Sequence, residues 1–366
     1  MKKVILFGGT FDPIHQGHIK IALAAKKQIQ ADEVIFILSK NPRWKTPTVN
    51  TIDRLNMLKI AIKDYEGFSY STFEIDNDSD FDYSIDTARH FVDESKKNNE
   101  DIKYYWLIGS DQVAQLDRWA QIDELASLVQ FVYYNRETDK DNKENIKKYN
   151  VLKIEGEKIN ISSTSVRRIE NCELDDKVFD YMCDHGLYYL KDLKNLLSPK
   201  RFAHSVSVAR LSRDIAKANH KNYNLAFYAG LFHDVGKNVD DDKSYELLKK
   251  YYSDFIDMPK WSWHQFIGVI VARDQFNIED NEILESICFH ATGRSSMSPL
   301  GKIIYSADKI DPLRGYDSSS LIKSCMRDYA KGFVEVLKAN KEYLEENNKL
   351  EKNRLTEDCY KYYIKG

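Results

Sequence analysis

The stretch VILFGGTFDPIHQGHIKIALAAKKQI, Val4–Ile29, decides how the first half of the chain reads. It begins as an uninterrupted apolar run that glycine stops, the pattern of a short buried strand. Gly8 and Gly9 carry no Cβ, so backbone there can approach a ligand closely. Asp12-Pro13 favours a turn before the next element. HIKIALAAKKQI then has helical periodicity, with Ile19, Ala22, Leu23 and Ala24 as the expected apolar face. His15 and His18 fall near the first turn of that helix, three residues apart and therefore on one face. Free amides and the helix dipole favour an anion at that end. Two imidazoles add directed donors. A metal is the other ligand such a pair could take, but no adjacent carboxylate completes a set. A polyphosphate suits the constellation better.

Working outward, EVIFILS, YYWLIGSD and LVQFVYYN read as further buried strands, and DRLNMLKIAIKDY as an amphipathic helix with Asp53 as its N-cap. Strands alternating with helices imply a parallel, doubly wound α/β sheet. In such sheets ligands bind beyond the carboxyl ends of the strands, and GGTFD and GSD both fall there. From about Leu187 the alternation stops. SVSVARLSRDIAKA, NLAFYAGLFHDV, HQFIGVIVARDQF and LGKIIYSADKI all carry helical periodicity, so the second half reads as an all-α bundle. KDLKNLLSPKR, with Pro199, marks the boundary zone, giving domains over 1–190 and 191–366. DKDNKENIKK, near Asp139, reads as a charged surface segment. In the C-terminal stretch Phe333, Val336, Leu337 and Leu344 form an apolar stripe, read as packed core with a homo-oligomer contact as the alternative.

The bulk figures agree with this division. A chain of 366 residues has room for two domains at about 100–200 residues each. The net charge of −3 provides no broad drive toward nucleic acid or an anionic membrane. The five cysteines are scattered and odd in number, without a CxxC pair, which argues against a disulfide framework or a zinc knuckle. The expected setting is a reducing cytoplasm. No apolar run has the length of a membrane span.

GGTFDPIHQGH, together with INISSTSVRR and IGSDQVAQLDRW, resembles the HxGH nucleotidyltransferases, and in this form the nicotinate mononucleotide adenylyltransferase family. The resemblance covers roughly Met1–Tyr189. It implies a Rossmann-like fold and a reaction joining nicotinate mononucleotide to ATP, with Mg²⁺ accompanying ATP. It implies that His15, His18 and Arg167 act on the phosphates, and that Gly8, Gly9, Thr10, Phe11, Gly109, Asp111, Ser163 and Thr164 complete the ATP site. Lys45, Thr87 and Trp119 are the implied mononucleotide contacts. One segment departs from the family pattern: NPRWK, Asn41–Lys45, stands where a histidine-containing PPHK-like segment is usual. Nicotinamide mononucleotide, or another phosphorylated acceptor, therefore stays open as the substrate.

The second half distributes His204, His233, Asp234, His264, His290 and Asp308 over separate predicted helices. Helical bundles build metal sites from side chains on facing helices, and imidazole with carboxylate suits iron, manganese or zinc. RFAHSVSVARL, LFHDVGK and FHATGRSSMSPLGKIIYSADKIDPLR resemble the HD-domain phosphohydrolases, and within them the symmetrical diadenosine tetraphosphate hydrolases. That resemblance implies that the six residues hold two metal ions, iron foremost. It also implies that Lys237, Arg294 and Arg314 meet phosphate, Lys237 taking part in catalysis, and that the substrate is diadenosine tetraphosphate. Another nucleotide phosphohydrolase, or a nucleotide sensor, is the alternative. His185 and His220 read as surface residues, and Asp311 as a cap or salt-bridge partner.

Overall fold

The computed structural model describes residues 1–40, 42, 46–76, 83–134, 143–347 and 353–364. The chain forms two compact units, Met1–Tyr188 and Tyr189–Gly366. The boundary stretch around Pro199 is itself helical. A helix spans Tyr189–Leu196, and Pro199 opens the helix Pro199–Ala218 behind the N-cap Ser198. Proline suits that first position because its missing N–H has no partner there in any case.

The first unit is a six-stranded sheet of β1 Lys2–Gly9, β2 Glu33–Leu38, β3 Phe68–Ser71, β4 Ile102–Gly109, β5 Gln130–Tyr134 and β6 Leu152–Ile154. Every pairing is parallel and the order is β3-β2-β1-β4-β5-β6. Val4, Ile5 and Leu6 are fully buried, as expected of a central parallel strand covered on both faces. Strand order reverses at β1, so a crevice forms between the ends of β1 and β4. The two edge strands were not foreseen. FSYS and LKI are short, polar and only partly buried, and they lack the apolar run that marks the inner strands.

Two local expectations are corrected. The helix after β1 spans Gln16–Ile29 and buries Ile19, Ile21, Ala22, Ala25 and Ile29, whereas Leu23 is 41% exposed. The buried face packs on β1, β2 and β6, with Ile21 also lining the crevice at the ends of β1 and β4. The next helix is Thr51–Ile62, and its N-cap is Asn50, whose side chain accepts from the Asp53 amide at 2.9 Å. Asp53 lies inside the first turn, where its charge favours the positive end of the helix.

The second unit is helical throughout its described residues. The helices Tyr223–Phe232 and Trp263–Phe276 are apolar on nearly every face and lie in its interior. Phe333, Val336 and Leu337 of the helix Tyr329–Glu346 are buried, and Leu344 is half-buried. All five cysteines are free thiols and buried. No described helix is long and apolar enough to cross a membrane.

Bare backbone brings the turn after Tyr223–Phe232 onto the helix Trp263–Phe276. A Cβ on Gly236 would lie 2.4 Å from the His264 carbonyl and 2.5 Å from the Gly268 nitrogen. Gly236→Ala should force these backbones apart and cost the second unit about 1–3 kcal/mol. Urea unfolding followed by probes specific to each unit checks this, and the first unit's transition should not move.

Candidate active sites

Beyond the ends of β1 and β4 lies a cleft of about 790 Å³. Gly8, Gly9, Thr10, Phe11, His15, His18, Gly109, Asp111, Trp119, Ser163, Thr164 and Arg167 all line it, so the sequence candidates gather from three separate stretches of chain. His15 is the N-cap of the helix Gln16–Ile29, and its amide donates to His18 Nδ1 at 3.2 Å. An Nδ1 that accepts leaves the proton of the neutral ring on Nε2. His18 therefore presents a donor, which is what an anion needs. The two rings lie 3.7 Å apart between centroids, and Phe11 meets His18 edge-on at 5.1 Å. A Cβ on Gly17 would come within 2.6 Å of the Ile161 side chain, so glycine lets the helix start close against the stretch that leads into Ser162–Arg167.

That stretch is fixed by reciprocal bonds. Ser162 caps the short helix Ser163–Arg167, with the Ser165 amide donating to its Oγ at 3.0 Å. Ser163 Oγ donates to the Pro13 carbonyl at 2.8 Å, and Arg167 donates to the Asp12 carbonyl. The glycine turn and the serine-rich turn are thus tied together at the mouth of the cleft. From below, Arg54 is buried and donates to the carbonyls of Thr10 at 2.9 Å and Ser39 at 2.7 Å. Sequence reading passed over Arg54 because one arginine in an amphipathic helix looks like a solvated residue.

Thr87 is a correction. It is 1% exposed and does not line the cleft, because its hydroxyl is turned inward to donate to Glu74 Oε1 at 2.7 Å. Tyr83, Ser84 and Glu74 itself line the cleft in this region. Lys45 lies outside the described residues, as do Asn41, Arg43 and Trp44 of the departing segment and 139–142 of the charged one. Trp119 is half-buried and meets Phe131 edge-on at 6.1 Å, with part of its ring against the core.

In the second unit, two groups bring metal-binding atoms together: His204, His233 and Asp234, and then Asp234, His264 and His290. Asp234 belongs to both. His233 and His290 each follow directly on the last turn of a helix, where carbonyls lack intrahelical partners. His233 Nδ1 donates to the Gly230 carbonyl at 2.7 Å and His290 Nδ1 to the Ile287 carbonyl at 2.8 Å. His264 does the same with the Trp261 carbonyl at 2.7 Å, reaching back from the start of its helix. A carbonyl can only accept, so in each neutral ring the proton sits on Nδ1 and Nε2 carries a lone pair. Those Nε2 atoms converge on carboxylate oxygens. His264 and His290 Nε2 lie 3.3 and 3.4 Å from Asp234 Oδ1, and His233 Nε2 lies 3.7 Å from Asp308 Oδ1. Burial pushes His290 down to about 3, so its Nε2 holds no proton near neutrality. His233 is fully buried and its Nε2 has no hydrogen-bond partner among the described residues.

The donor set fits a pair of divalent cations. Buried lone pairs facing carboxylate oxygens are unfavourable by themselves and become favourable with a cation between them. His204 is oriented by Asp311, with Nδ1 at 2.6 Å from Asp311 Oδ2 and Nε2 at 3.1 Å from Asp308 Oδ1. Asp311 is fully buried and also accepts from Ser207 Oγ at 2.5 Å. Of the two readings its sequence position left open, cap or salt-bridge partner, the pairing with His204 bears out the second. Arg314 meets Asp308 Oδ1 at 2.5 Å, and Lys237 Nζ lies 3.9 Å from Asp234 Oδ1. Arg294 is placed differently: it pairs with Glu285 and lies over the Phe289 ring.

Residues 6–169 match the cytidylyltransferase-like family model, and residues 201–313 match the HD domain model. A Mycoplasma genitalium protein named "Probable nicotinate-nucleotide adenylyltransferase/Ap4A hydrolase" is 30% identical over 92% of this chain and 97% of its own length. A Clostridium botulinum protein named "Probable nicotinate-nucleotide adenylyltransferase" is 39% identical, over 47% of this chain and 88% of its own. A solved Clostridium acetobutylicum structure, described as a "predicted HD superfamily hydrolase involved in NAD metabolism", is 28% identical with a TM-score of 0.42. It covers 52% of this chain and 96% of that one. With a cytidylyltransferase-like sheet followed by an HD-type helical unit, and with 92% of its length matched by a relative of the same organisation, the chain belongs to the family of nicotinate-nucleotide adenylyltransferase/Ap4A hydrolases.

Proposed function

We propose that the first unit transfers AMP from ATP to nicotinate mononucleotide, and that the second hydrolyses diadenosine tetraphosphate to two ADP. In the first reaction a phosphate oxygen of the mononucleotide bonds to the α-phosphorus of ATP. The bond from that phosphorus to the bridging α,β-oxygen breaks, and pyrophosphate leaves. The attacking phosphate is already ionised at neutral pH, so no protein nucleophile is required. The task is to align two anions and stabilise charge on the leaving group. His18, with its proton on Nε2, and His15 beside it donate to the phosphate chain, and Ser163, Thr164 and Arg167 take its far end. Mg²⁺ enters with ATP. The observation that carries this reading is the meeting of the His15–His18 pair with Ser163, Thr164 and Arg167 around one cleft at the strand-order reversal.

For the second unit, the carrying observation is Asp234 shared between two buried ligand groups. An iron pair is the proposed occupant, and when bound it supplies Lewis-acid activation of water and of a phosphate. His204, His233 and Asp234 would hold one ion, and Asp234, His264 and His290 the other, with Asp308 near His204 and His233. Lys237 and Arg314, beside Asp234 and Asp308, would neutralise phosphate charge. Arg314 brings a planar fork of donors suited to phosphate.

His18→Ala should lower kcat for adenylyl transfer by roughly 10²–10³-fold, as removing one transition-state donor typically does. Hydrolysis of the tetraphosphate should be unchanged. A coupled assay for pyrophosphate beside an ADP assay reads both, and nicotinamide mononucleotide tried in parallel gives the acceptor preference. Asp234→Ala should remove both metal ions, read by elemental analysis of the purified protein, and abolish ADP release while adenylyl transfer continues. A variant that keeps one ion would contradict the shared-ligand arrangement.

A further inference from the structure

The turn that carries the phosphate-facing groups is held by a hydroxyl from the other end of the first unit. Asp12 is 4% exposed, and both of its carboxylate oxygens are engaged. Oδ2 accepts from the Thr48 amide at 2.7 Å and Oδ1 accepts from the Tyr188 hydroxyl at 2.8 Å. Arg167 stands next to this carboxylate. It donates to the Asp12 carbonyl, its Nη1 lies 3.6 Å from Oδ2, and its Nη2 donates to Thr164 Oγ1 at 3.3 Å. An arginine beside a carboxylate ordinarily closes into a two-pronged ion pair. Here the pairing stays one-pronged, a 3.6 Å approach to Oδ2, while the Thr48 amide takes one acceptor position on Oδ2 and the Tyr188 hydroxyl one on Oδ1.

We propose that Tyr188 is a positioning residue for ATP binding: its hydroxyl occupies Asp12 Oδ1 and so keeps Arg167 available to the triphosphate instead of locked onto Asp12. The proposal rests on the adenylyl-transfer reading of the cleft. Tyr188 is built for a fixed role. Its backbone sits at φ +55°, in the left-handed region that bulky side chains seldom adopt, and its surroundings hold it there. Burial, with the Asp12 carboxylate beside it, raises its phenol far above the usual tyrosine range, so it remains a donor at any working pH. It is also the last residue of the first unit. The same chain position therefore ends one unit and sets the charge balance of that unit's cleft.

Tyr188→Phe in the full-length protein isolates the hydroxyl, since the ring is kept. Calorimetric ATP titration should show binding weakened about ten-fold, the scale of a lost hydrogen bond to a charged group. The KM for the mononucleotide and the hydrolysis of diadenosine tetraphosphate should stay at wild-type values. Adding Tyr188→Phe to Arg167→Ala should cause no further loss, because the guanidinium it protects is gone. ATP affinity unchanged in Tyr188→Phe, or losses that multiply in the double variant, would overturn the proposal. Wild-type protein that binds ATP but transfers nothing to either pyridine mononucleotide would instead overturn the reaction assigned to the cleft and leave the Tyr188 effect on ATP binding to be read by itself.

Discussion

Buried lone pairs facing buried carboxylate oxygens are the constraint on which the second unit depends. Three imidazoles commit their Nδ1 protons to the carbonyls of Gly230, Trp261 and Ile287. What they have left points at Asp234 and Asp308, acceptor toward acceptor. Burial makes an uncompensated arrangement of this kind costly. A cation removes the conflict and converts every one of these atoms into a ligand. The helix ends, the bare backbone of Gly236 resting on the His264 helix, and the Asp311–His204 bond all hold this cluster in place.

The first unit solves the complementary problem. Its cleft concentrates donors, where the second concentrates acceptors. Parallel order with a reversal at β1 opens the crevice, glycine at the strand end lets backbone line it, and the polar side chains of His15, His18, Ser163, Thr164 and Arg167 stand around it. An anion completes the first arrangement and cations complete the second. On the proposed functions, a nucleotide's phosphate chain would satisfy the first directly and the second through bound metal, and that shared chemistry would be a physical reason for the two folds to sit on one chain.

Much of this was legible from residues alone, for identifiable reasons. Inner strands such as VILF and EVIFIL are continuous apolar runs because both faces of a parallel sheet are covered. The edge strands FSYS and LKI carry no such signal. Glycine, histidine and serine near strand and helix ends marked the cleft. The inward turn of Thr87 did not show, because a threonine in a helix reads the same whether its hydroxyl faces a ligand or a buried Glu74. Asp53 was a plausible cap until the chain set the helix start three residues earlier at Asn50. Tyr188 with Asp12, Arg54 with Thr10 and Asp311 with His204 pair residues more than forty positions apart, and such pairings depend on folding rather than on local pattern.

The central claim, that cations bridge the buried imidazoles and carboxylates of the second unit, is tested most directly by anomalous diffraction. Crystals grown with Mn²⁺ and measured at the manganese edge should show two peaks flanking Asp234, one toward His204 and His233 and one toward His264 and His290. Absence of anomalous density at Asp234, with the six side chains in the positions described, would contradict it.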